Sequence, residues 1–182
     1  MGKKVCVYGA AGTAIAPIFF ETAEELGKKL AQNGLGVVFG GGNNGVMGAV
    51  ARGVHSESGT LIGVTPRFFR VDGVLYQSCT ELIYTDTMRE RKKLLEDLSD
   101  AFIIAPGGIG TMDEFFEILT LLHLKQHSKP IIIFNVDGYY NKLLEFLTDG
   151  VEKKFISDDS LAYTVCTTAD EVVKTILDAA AE

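Results

Sequence analysis

Seven short apolar runs, rich in β-branched residues, alternate with stretches of helical periodicity along the 182-residue chain. Runs such as FIIA and IIIF are apolar at every position, which is typical of parallel strands buried on both faces. This alternation predicts an α/β fold, in which helices cover both faces of a mostly parallel sheet of about seven strands. The predicted strands lie at residues 5–8, 36–39, 60–65, 81–85, 101–105, 130–135 and 163–166. The predicted helices lie at about residues 17–32, 46–54, 87–98, 111–125, 139–149 and 170–180.

Glycine-rich turns follow three of the predicted strands. They lie at residues 9–13, 40–45 and 107–111, after the first, second and fifth strands. Because the carboxyl ends of parallel strands meet at one edge of a sheet, we expect these turns to lie close together. Open α/β sheets bind their ligands at that edge, so the sequence predicts the functional site there. Residues 67–80 form the longest irregular stretch, and we expect a mobile loop in it.

The second turn, GGGNNG at residues 40–45, holds four glycines in six residues. Glycine loses more conformational entropy on folding than any other residue, so this content needs a reason. Close approach of a ligand to bare backbone N–H groups is one reason, and it predicts contacts at Gly41, Gly42 and Gly45. The alternative is a tight turn with left-handed backbone, which requires one or two glycines rather than four. We favour the ligand contact.

The third turn, PGGIGT, follows a buried strand and opens a helix. The N-terminus of a helix offers unpaired N–H groups and a partial positive charge, so it is a ready site for phosphate. Thr111 can cap the helix or donate its hydroxyl to a phosphate oxygen, and both roles can hold together. The residues predicted to bind the phosphate are Gly107, Gly108, Ile109, Gly110 and Thr111.

Two acids, Asp113 and Glu114, lie in the first turn of this helix, where either can complement the helix dipole. Helical spacing separates them. Glu114 shares a face with Ile118 and Leu121 and therefore points toward apolar surroundings, whereas Asp113 shares a more polar face with Glu117. A carboxylate on the buried side, next to a phosphate site, needs a cation to compensate its charge. We therefore predict a functional role for Glu114 and favour the dipole role for Asp113.

The cations are supplied by MRERK, residues 88–92. Arg91 is followed by leucines at i+3, i+4 and i+7, so it continues the buried stripe of its helix. A charge is rarely placed there without a partner, and Arg91 is the predicted cation for Glu114. The alternative for the whole run is a solvated helix face, which we accept for Glu90 and Lys93 but not for Arg91.

Composition excludes several classes of protein. The net charge of -7 argues against a duplex nucleic-acid binder, although a local pocket can still hold a small anion. The cysteines, Cys6, Cys79 and Cys166, are odd in number and far apart, which indicates neither a disulfide framework nor a zinc site. Cys6 and Cys166 lie in apolar runs and are predicted to be core residues.

Length and hydropathy set the organisation of the chain. Its length is that of one domain, which we predict over residues 1–182. No apolar run approaches the roughly 18–20 residues of a membrane span, so we expect no membrane partner. Residues 1–4 run directly into the first strand pattern, so we expect no signal peptide and a cytoplasmic protein.

Three motifs, GGGNNGVMG, MRERK and PGGIGTMDE, together resemble in order and spacing the Lonely Guy family of nucleoside 5′-monophosphate phosphoribohydrolases. Bacterial members of that family were often labelled lysine decarboxylase-like. The resemblance covers nearly the whole chain, including DAFIIAPGG and KPIIIFNVDGYYNKLLEFL. It implies a Rossmann-like three-layer sandwich, usually a homodimer, that hydrolyses the N-glycosidic bond of cytokinin riboside monophosphates or AMP. The implied products are the free base and ribose 5-phosphate, and no metal or cofactor is needed.

The resemblance extends to individual residues. Arg91 and Lys92 match the Arg-Lys of the family's MxxRK motif, which begins here at Met88. Glu114 matches the motif glutamate that follows the family's phosphate turn. Thr120, two helical turns further on, matches a position that lines the nucleotide site in the family.

Departures from the family pattern occur at several of the same motifs. The family commonly has histidine in place of Arg89, Glu-Glu in place of Asp113-Glu114, and serines in the first glycine turn where this chain has Ala10-Ala11. These changes bear on base preference more than on phosphate binding. A further substrate-contacting acid lies in the family's variable loop, and Asp72 is its possible counterpart.

The chemistry implied by the resemblance assigns roles to two residues. Cleavage of a ribosyl C–N bond builds positive charge on the sugar, in an oxocarbenium-like state. Glu114 can stabilise that charge and orient or deprotonate water, and Arg91 can hold Glu114 or the ribose. We therefore predict Glu114 and Arg91 as the catalytic residues. The decarboxylase label gets little support, because no lysine is singled out for a Schiff base.

Two alternatives stay open at this point. A non-catalytic nucleotide or cofactor carrier could use the same fold, since fold does not determine function. Such a carrier has no need of a buried Glu114–Arg91 pair. A scaffold that acts through dimerisation is the other alternative, with the apolar helix at residues 115–124 as part of its interface.

Overall fold

A computed structural model describes residues 2–69 and 73–179 of the chain. It contains one seven-stranded sheet and six α-helices among these residues. The strands are β1 (Lys4–Tyr8), β2 (Gly36–Phe39), β3 (Leu61–Pro66), β4 (Glu81–Thr85), β5 (Ala101–Ile104), β6 (Ile131–Phe134) and β7 (Thr164–Cys166). The helices are α1 (Pro17–Gln32), α2 (Gly45–Ser56), α3 (Met88–Asp97), α4 (Ile109–His123), α5 (Asn141–Glu152) and α6 (Ala169–Asp178).

The strands lie in the order β4-β3-β2-β1-β5-β6-β7, and all their pairings are parallel. The direction in which successive strands are added therefore reverses between β1 and β5. A sheet of this kind opens a crevice beyond the carboxyl ends of the strands at the point of reversal. The predicted Rossmann-like α/β fold is confirmed, and its order places the first and third glycine turns side by side.

Helices cover both faces of the sheet. One core packs β-strand residues against α1, α2 and α6, and the other packs them against α3, α4 and α5. The central strands are fully buried, whereas the edge strands β4 and β7 are partly exposed. Phe39, Phe102, Phe115 and Phe134 have almost no exposed surface. Burial of each such side chain stabilises the fold by roughly 1.5–3 kcal/mol, which explains why the apolar runs form the interior strands.

Two parts of the segment between β3 and β4 have defined backbone structure. A short 3₁₀ turn spans Arg67–Phe69. Further along, the N–H of Asn43 donates to the carbonyl of Val74 at 2.9 Å. The N–H of Tyr76 donates to the carbonyl of Gly41, also at 2.9 Å. Residues 74–76 thus form a ribbon against residues 41–43, the 74–76 ribbon. Asp72 lies outside the described residues.

Candidate functional site

A cavity of about 630 Å³ lies at the crevice between β1 and β5. All three glycine turns contribute to its wall, as the strand pattern predicted. The parts of the turns that line it are Gly9, Ala10, Ala11 and Gly12, then Gly40, Gly42 and Asn44, and finally Pro106, Gly107, Gly108, Gly110 and Thr111.

Hydrogen bonds fix the turns to one another. The N–H of Ala10 donates to the carbonyl of Pro106 at 3.0 Å, and the N–H of Met47 donates to the carbonyl of Ala10 at 3.2 Å. The Tyr139 hydroxyl donates to the carbonyl of Gly107 at 2.7 Å. The cavity wall is therefore preorganised by contacts within the chain, which is the usual state of a small-molecule site.

Arg91 and Glu114 form a buried ion pair in this cavity. Arg91 Nη1 lies 2.7 Å from Glu114 Oε1, and the two side chains are only 10% and 11% exposed. Arg91 Nε also donates to the carbonyl of Val64 at 3.1 Å, which fixes the guanidinium at the end of β3. Both side chains line the cavity. The helical spacing of the two residues thus predicted both their burial and their pairing.

The environment of Glu114 changes its acidity. Burial raises the pKa of the Glu114 carboxyl above its ordinary value of 4.5, and the charge and hydrogen bond of Arg91 oppose that rise without cancelling it. The nearby charge of Asp113 adds to the rise. A carboxylate with a raised pKa is a better proton acceptor near neutral pH than an exposed one. Glu114 is therefore suited to exchange a proton with a water molecule held in the cavity.

Most glycines of the second turn have reasons within the chain. Gly41 and Gly45 have φ of +78° and +66°, a left-handed backbone that other residues rarely adopt. A Cβ at Gly40 would lie 2.2 Å from Arg91 Nη2, and one at Gly42 would lie 2.9 Å from a methionine side chain. Gly40, Gly41 and Gly45 thus have reasons within the chain. A Cβ at Gly42 would meet only the flexible end of that methionine, so most of this glycine content does not by itself indicate a ligand. Gly40 makes room for the Arg91 side chain of the ion pair.

In the third turn, two of the glycines are not required by the backbone conformation or by a close neighbour in the chain. A Cβ at Gly107 would lie 2.1 Å from Thr111 Oγ1, but a Cβ at Gly108 or Gly110 would meet nothing within 4 Å. Neither Gly108 nor Gly110 has a left-handed backbone. Both line the cavity at the start of α4, where no described side chain caps the helix. The bare backbone there is open for a ligand to approach.

The helix begins two residues earlier than predicted, at Ile109, with Gly108 as its N-cap. Thr111 is therefore in the third helical position and is not the cap. Its side chain is packed over Gly107 and is only 4% exposed. Thr111 lines the cavity wall, so of the two predicted roles donation to a bound anion is the one that its position allows.

Five residues predicted from sequence do not line the cavity of a single chain. Gly41 and Gly45 belong to the second turn and shape it through their left-handed backbone, but they do not line the cavity. Ile109 points outward from the first turn of α4 and is 91% exposed. Thr120 is exposed as well, and its hydroxyl donates to the Phe116 carbonyl at 2.7 Å. Lys92, the fifth, is directed to the carboxylates on α4.

Lys92 binds two acids of the neighbouring helix. Its Nζ lies 3.1 Å from Asp113 Oδ2 and also contacts Glu117. These contacts raise the pKa of Lys92, the hydrogen bond with Glu117 most of all. Asp113, which the sequence favoured only as a dipole acid, lines the cavity together with the predicted residue Met88. Lys92 therefore offsets the charge of two acids on α4, of which Asp113 lines the cavity.

Sequence reasoning missed the apolar wall of the cavity. One side of this wall is formed by Ile15, Phe19 and Tyr139, and the other by Met47, Thr65, Phe69, Val74 and Leu75. Two of these residues carried a signal, since Thr65 and Tyr139 lie at or just after the carboxyl ends of β3 and β6. The remaining ones come from the loop before α1, from α1 and α2, and from the segment between β3 and β4, where spacing gave no indication.

The predictions for the cysteines have an outcome in the structure. Cys6 and Cys166 are buried in the core as predicted, and Cys79 is partly buried. Within residues 2–69 and 73–179, no cluster of three or more His, Cys, Asp or Glu residues is arranged to hold a metal ion. In the same part of the chain, no helix has the length and hydropathy needed to cross a membrane.

Comparison with known proteins now gives the family. A family model described as possible lysine decarboxylase matches residues 47–176. A cytokinin riboside 5′-monophosphate phosphoribohydrolase of Arabidopsis thaliana is 36% identical over 155 residues, which cover 85% of this chain and 71% of that protein. The chain belongs to the Lonely Guy family. The resemblance read from the three motifs is thereby confirmed.

Other relatives in the Lonely Guy family come from Oryza sativa subsp. japonica. A probable cytokinin riboside 5′-monophosphate phosphoribohydrolase is 37% identical over 182 residues, which cover 98% of this chain and 78% of that protein. Another protein of that name is 36% identical over 155 residues, and there the chain spans only 63% of the relative's length.

Solved structures share the fold at lower sequence identity. The molybdenum cofactor carrier protein of Chlamydomonas reinhardtii has a TM-score of 0.78 at 22% identity, with full coverage of both chains. The molybdenum cofactor binding protein of Rippkaea orientalis has a TM-score of 0.75 at 20% identity, with 98% of each chain covered. At these identities the likeness concerns the fold alone.

Proposed function

We propose that this chain hydrolyses the N-glycosidic bond of purine nucleoside 5′-monophosphates, of AMP or cytokinin type, to the free base and ribose 5-phosphate. The observation that carries the proposal is the buried Arg91–Glu114 pair, which shares one cavity with the uncapped N-terminus of α4. The ion pair is suited to the reacting sugar, and the helix N-terminus is suited to the phosphate. The names of the relatives agree with this activity.

The phosphate is assigned to the start of α4. The first N–H groups of a helix have no partner within the helix, and its dipole favours an anion there. Gly108 and Gly110 leave that backbone uncovered, and the Thr111 hydroxyl lies beside it. Binding energy from this remote phosphate can be used at the reacting carbon, because it holds the sugar in register with the carboxylate.

The reaction itself is assigned to Glu114. Positive charge develops on the ribose ring as the C–N bond breaks, and the Glu114 carboxylate stabilises it. The same carboxylate orients a water molecule and accepts its proton as the C–O bond forms. The electron pair of the broken C–N bond leaves with the base, which then takes up this proton from Glu114 and is released as the neutral free base. Arg91 keeps Glu114 in place through the 2.7 Å contact and neutralises part of the phosphate charge.

The alternative readings are less well supported. A carrier needs to bind its ligand, but it gains nothing from a carboxylate held at the cavity centre with a raised pKa. A decarboxylase of the pyridoxal type needs a lysine for a Schiff base. None of the described lysines lines the cavity.

Removal of the substrate's phosphate is expected to lower kcat/KM by at least about a thousandfold, since that anchor supplies several kcal/mol of binding energy. The measurement compares initial rates of adenine release from AMP and from adenosine by chromatography. Addition of inorganic phosphate to the adenosine reaction serves as a control for occupancy of the anion site. Equal turnover of the two substrates would show that the phosphate does not anchor the substrate.

Alanine at Gly110 is expected to leave the fold intact and weaken AMP binding about tenfold or more, a change of roughly 1.4 kcal/mol. The added Cβ meets nothing in the chain, so the free energy of unfolding is expected to rise by about 0.5–1 kcal/mol. Calorimetric titration and urea unfolding measure the two quantities. Gly107→Ala is the matched control, because its Cβ meets Thr111 and should lower stability. Unchanged AMP affinity in Gly110→Ala would show that the phosphate lies elsewhere.

We further propose that the protein is a cytoplasmic homodimer. Its three free thiols fit a reducing compartment. The outer face of α4 exposes Ile109, Phe116 and Leu124, by 91%, 38% and 57%, and Thr120 lies on this same face. An apolar face of this kind is expected to be covered in solution. Light scattering after size-exclusion chromatography should give twice the mass of one chain, and a single-chain mass would refute the dimer.

A further inference from the structure

Thr65, at the end of β3, carries a buried hydroxyl without a partner. Its side chain has no exposed surface, and Oγ1 has no hydrogen-bond partner among the described residues. Thr65 also forms part of the cavity wall. A buried hydroxyl without a hydrogen bond destabilises a protein, whereas valine has the same shape without this cost. A threonine at this position therefore needs an explanation outside the free chain.

The position of Thr65 in the cavity suggests the explanation. The start of α4 follows β5, whereas the Arg91 guanidinium is anchored at Val64 on β3, on the other side of β1 and β2, and Thr65 is the next residue of β3. A nucleotide with its phosphate at α4 and its ribose at Glu114 extends its base toward β3. The base then packs against the part of the cavity wall that is formed by Met47, Phe69, Val74, Leu75 and Met88.

These apolar side chains can enclose a purine ring, but they cannot form hydrogen bonds with its nitrogen atoms. Thr65 can, because a hydroxyl is both a donor and an acceptor. The 74–76 ribbon shields this part of the wall and is attached to the second turn by the backbone hydrogen bonds of Asn43 and Tyr76. Because Oγ1 has almost no exposed surface, contact with a base requires a small outward movement of the ribbon.

We propose that Thr65 is a specificity-determining residue whose hydroxyl forms a hydrogen bond with the purine base of the bound nucleotide. The proposal rests on the function proposed above for the orientation of the nucleotide. It assigns the base-recognising half of the cavity to the end of β3 and to the 74–76 ribbon. The free chain accepts an unpaired hydroxyl there, and the bound base supplies its partner.

The test compares Thr65→Val and Thr65→Ser in a Glu114→Gln background, which allows equilibrium binding without turnover. Calorimetric titration is carried out with AMP and with ribose 5-phosphate, which lacks the base. Thr65→Val is expected to weaken AMP binding about tenfold, the loss of one hydrogen bond. Its affinity for ribose 5-phosphate is expected to be unchanged, and Thr65→Ser should bind AMP nearly as tightly as the parent.

Stability supplies an independent measurement. Thr65→Val is expected to raise the Tm of the free protein by about 2–4 °C, because it removes an unpaired polar atom. Thr85→Val, on the adjacent strand, is the matched control and should lower the Tm, since the Thr85 hydroxyl donates to the Thr87 carbonyl at 3.2 Å. A lower Tm for Thr65→Val would show that its hydroxyl already has a partner, and would overturn the proposal.

Each binding outcome also decides a question. If Thr65→Val keeps its AMP affinity, or loses affinity for both ligands alike, the assignment of Thr65 to the base is wrong. If the parent binds neither ligand, the phosphate site and the role of Thr65 fail together. If the wild-type chain binds AMP but releases no adenine, the proposed hydrolysis fails, and the comparison of Thr65 variants still decides where the base lies.

Discussion

Replacement of Glu114 by glutamine is expected to lower kcat for AMP by at least about a hundredfold, the lower range for loss of a positioned general base. The amide keeps the size of the side chain but can neither accept a proton nor stabilise positive charge on the ribose. The phosphate site is untouched, so the dissociation constant of AMP should change only a few-fold. Quench-flow or steady-state rates and calorimetric titration measure the two quantities.

Asp113→Asn is the matched control for this variant. Asp113 is the neighbouring acid, lines the same cavity and binds Lys92, but it is far more exposed than Glu114. Its replacement should reduce kcat much less than the replacement of Glu114. Near-normal turnover by Glu114→Gln, or equal losses in the two variants, would show that the assigned role is wrong.

Replacement of Arg91 by methionine is expected to destabilise the protein by about 3–5 kcal/mol, the cost of leaving a buried charge without its partner. Methionine fills much of the same volume, so lost packing contributes little. Removal of the cation also raises the pKa of Glu114 further, because Arg91 now opposes the effect of burial. Urea unfolding at pH 7 and pH 5 measures the loss in the free energy of unfolding. This loss should be smaller at pH 5, because Glu114 is protonated more readily there.

A double variant separates charge from packing. Arg91→Met combined with Glu114→Leu removes both charges, and this change should recover much of the lost stability without restoring turnover. The coupling free energy from the double-mutant cycle then reports the ion pair itself. A single Arg91→Met variant as stable as the wild type would contradict the buried, mutually dependent pair that the account requires.

Much of the site could be predicted because its signals are local. The burial of Arg91 follows from leucines three, four and seven residues further along one helix, and the inward direction of Glu114 follows in the same way. The meeting of the glycine turns follows from a general property of parallel sheets, in which carboxyl ends share one edge. Neither inference required knowledge of which strands are neighbours.

What could not be predicted depends on contacts between distant segments. Gly40 is needed because the Arg91 guanidinium passes over it, so part of the glycine content that predicted a ligand contact serves the Arg91–Glu114 ion pair. The pairing of residues 74–76 with the second turn gave no pattern in the sequence. For the same reason, the apolar wall around Thr65 became visible only once β3 was placed beside β2.

The most direct test of the central claim is product analysis. The wild-type protein is incubated separately with AMP and with isopentenyladenosine monophosphate, and the mixtures are separated by chromatography beside authentic standards. We expect equimolar free base and ribose 5-phosphate from at least one of the two nucleotides, and no free base from either nucleotide with the Glu114→Gln variant. If neither nucleotide releases base although both are bound, the protein is a nucleotide carrier and the proposed hydrolysis is wrong.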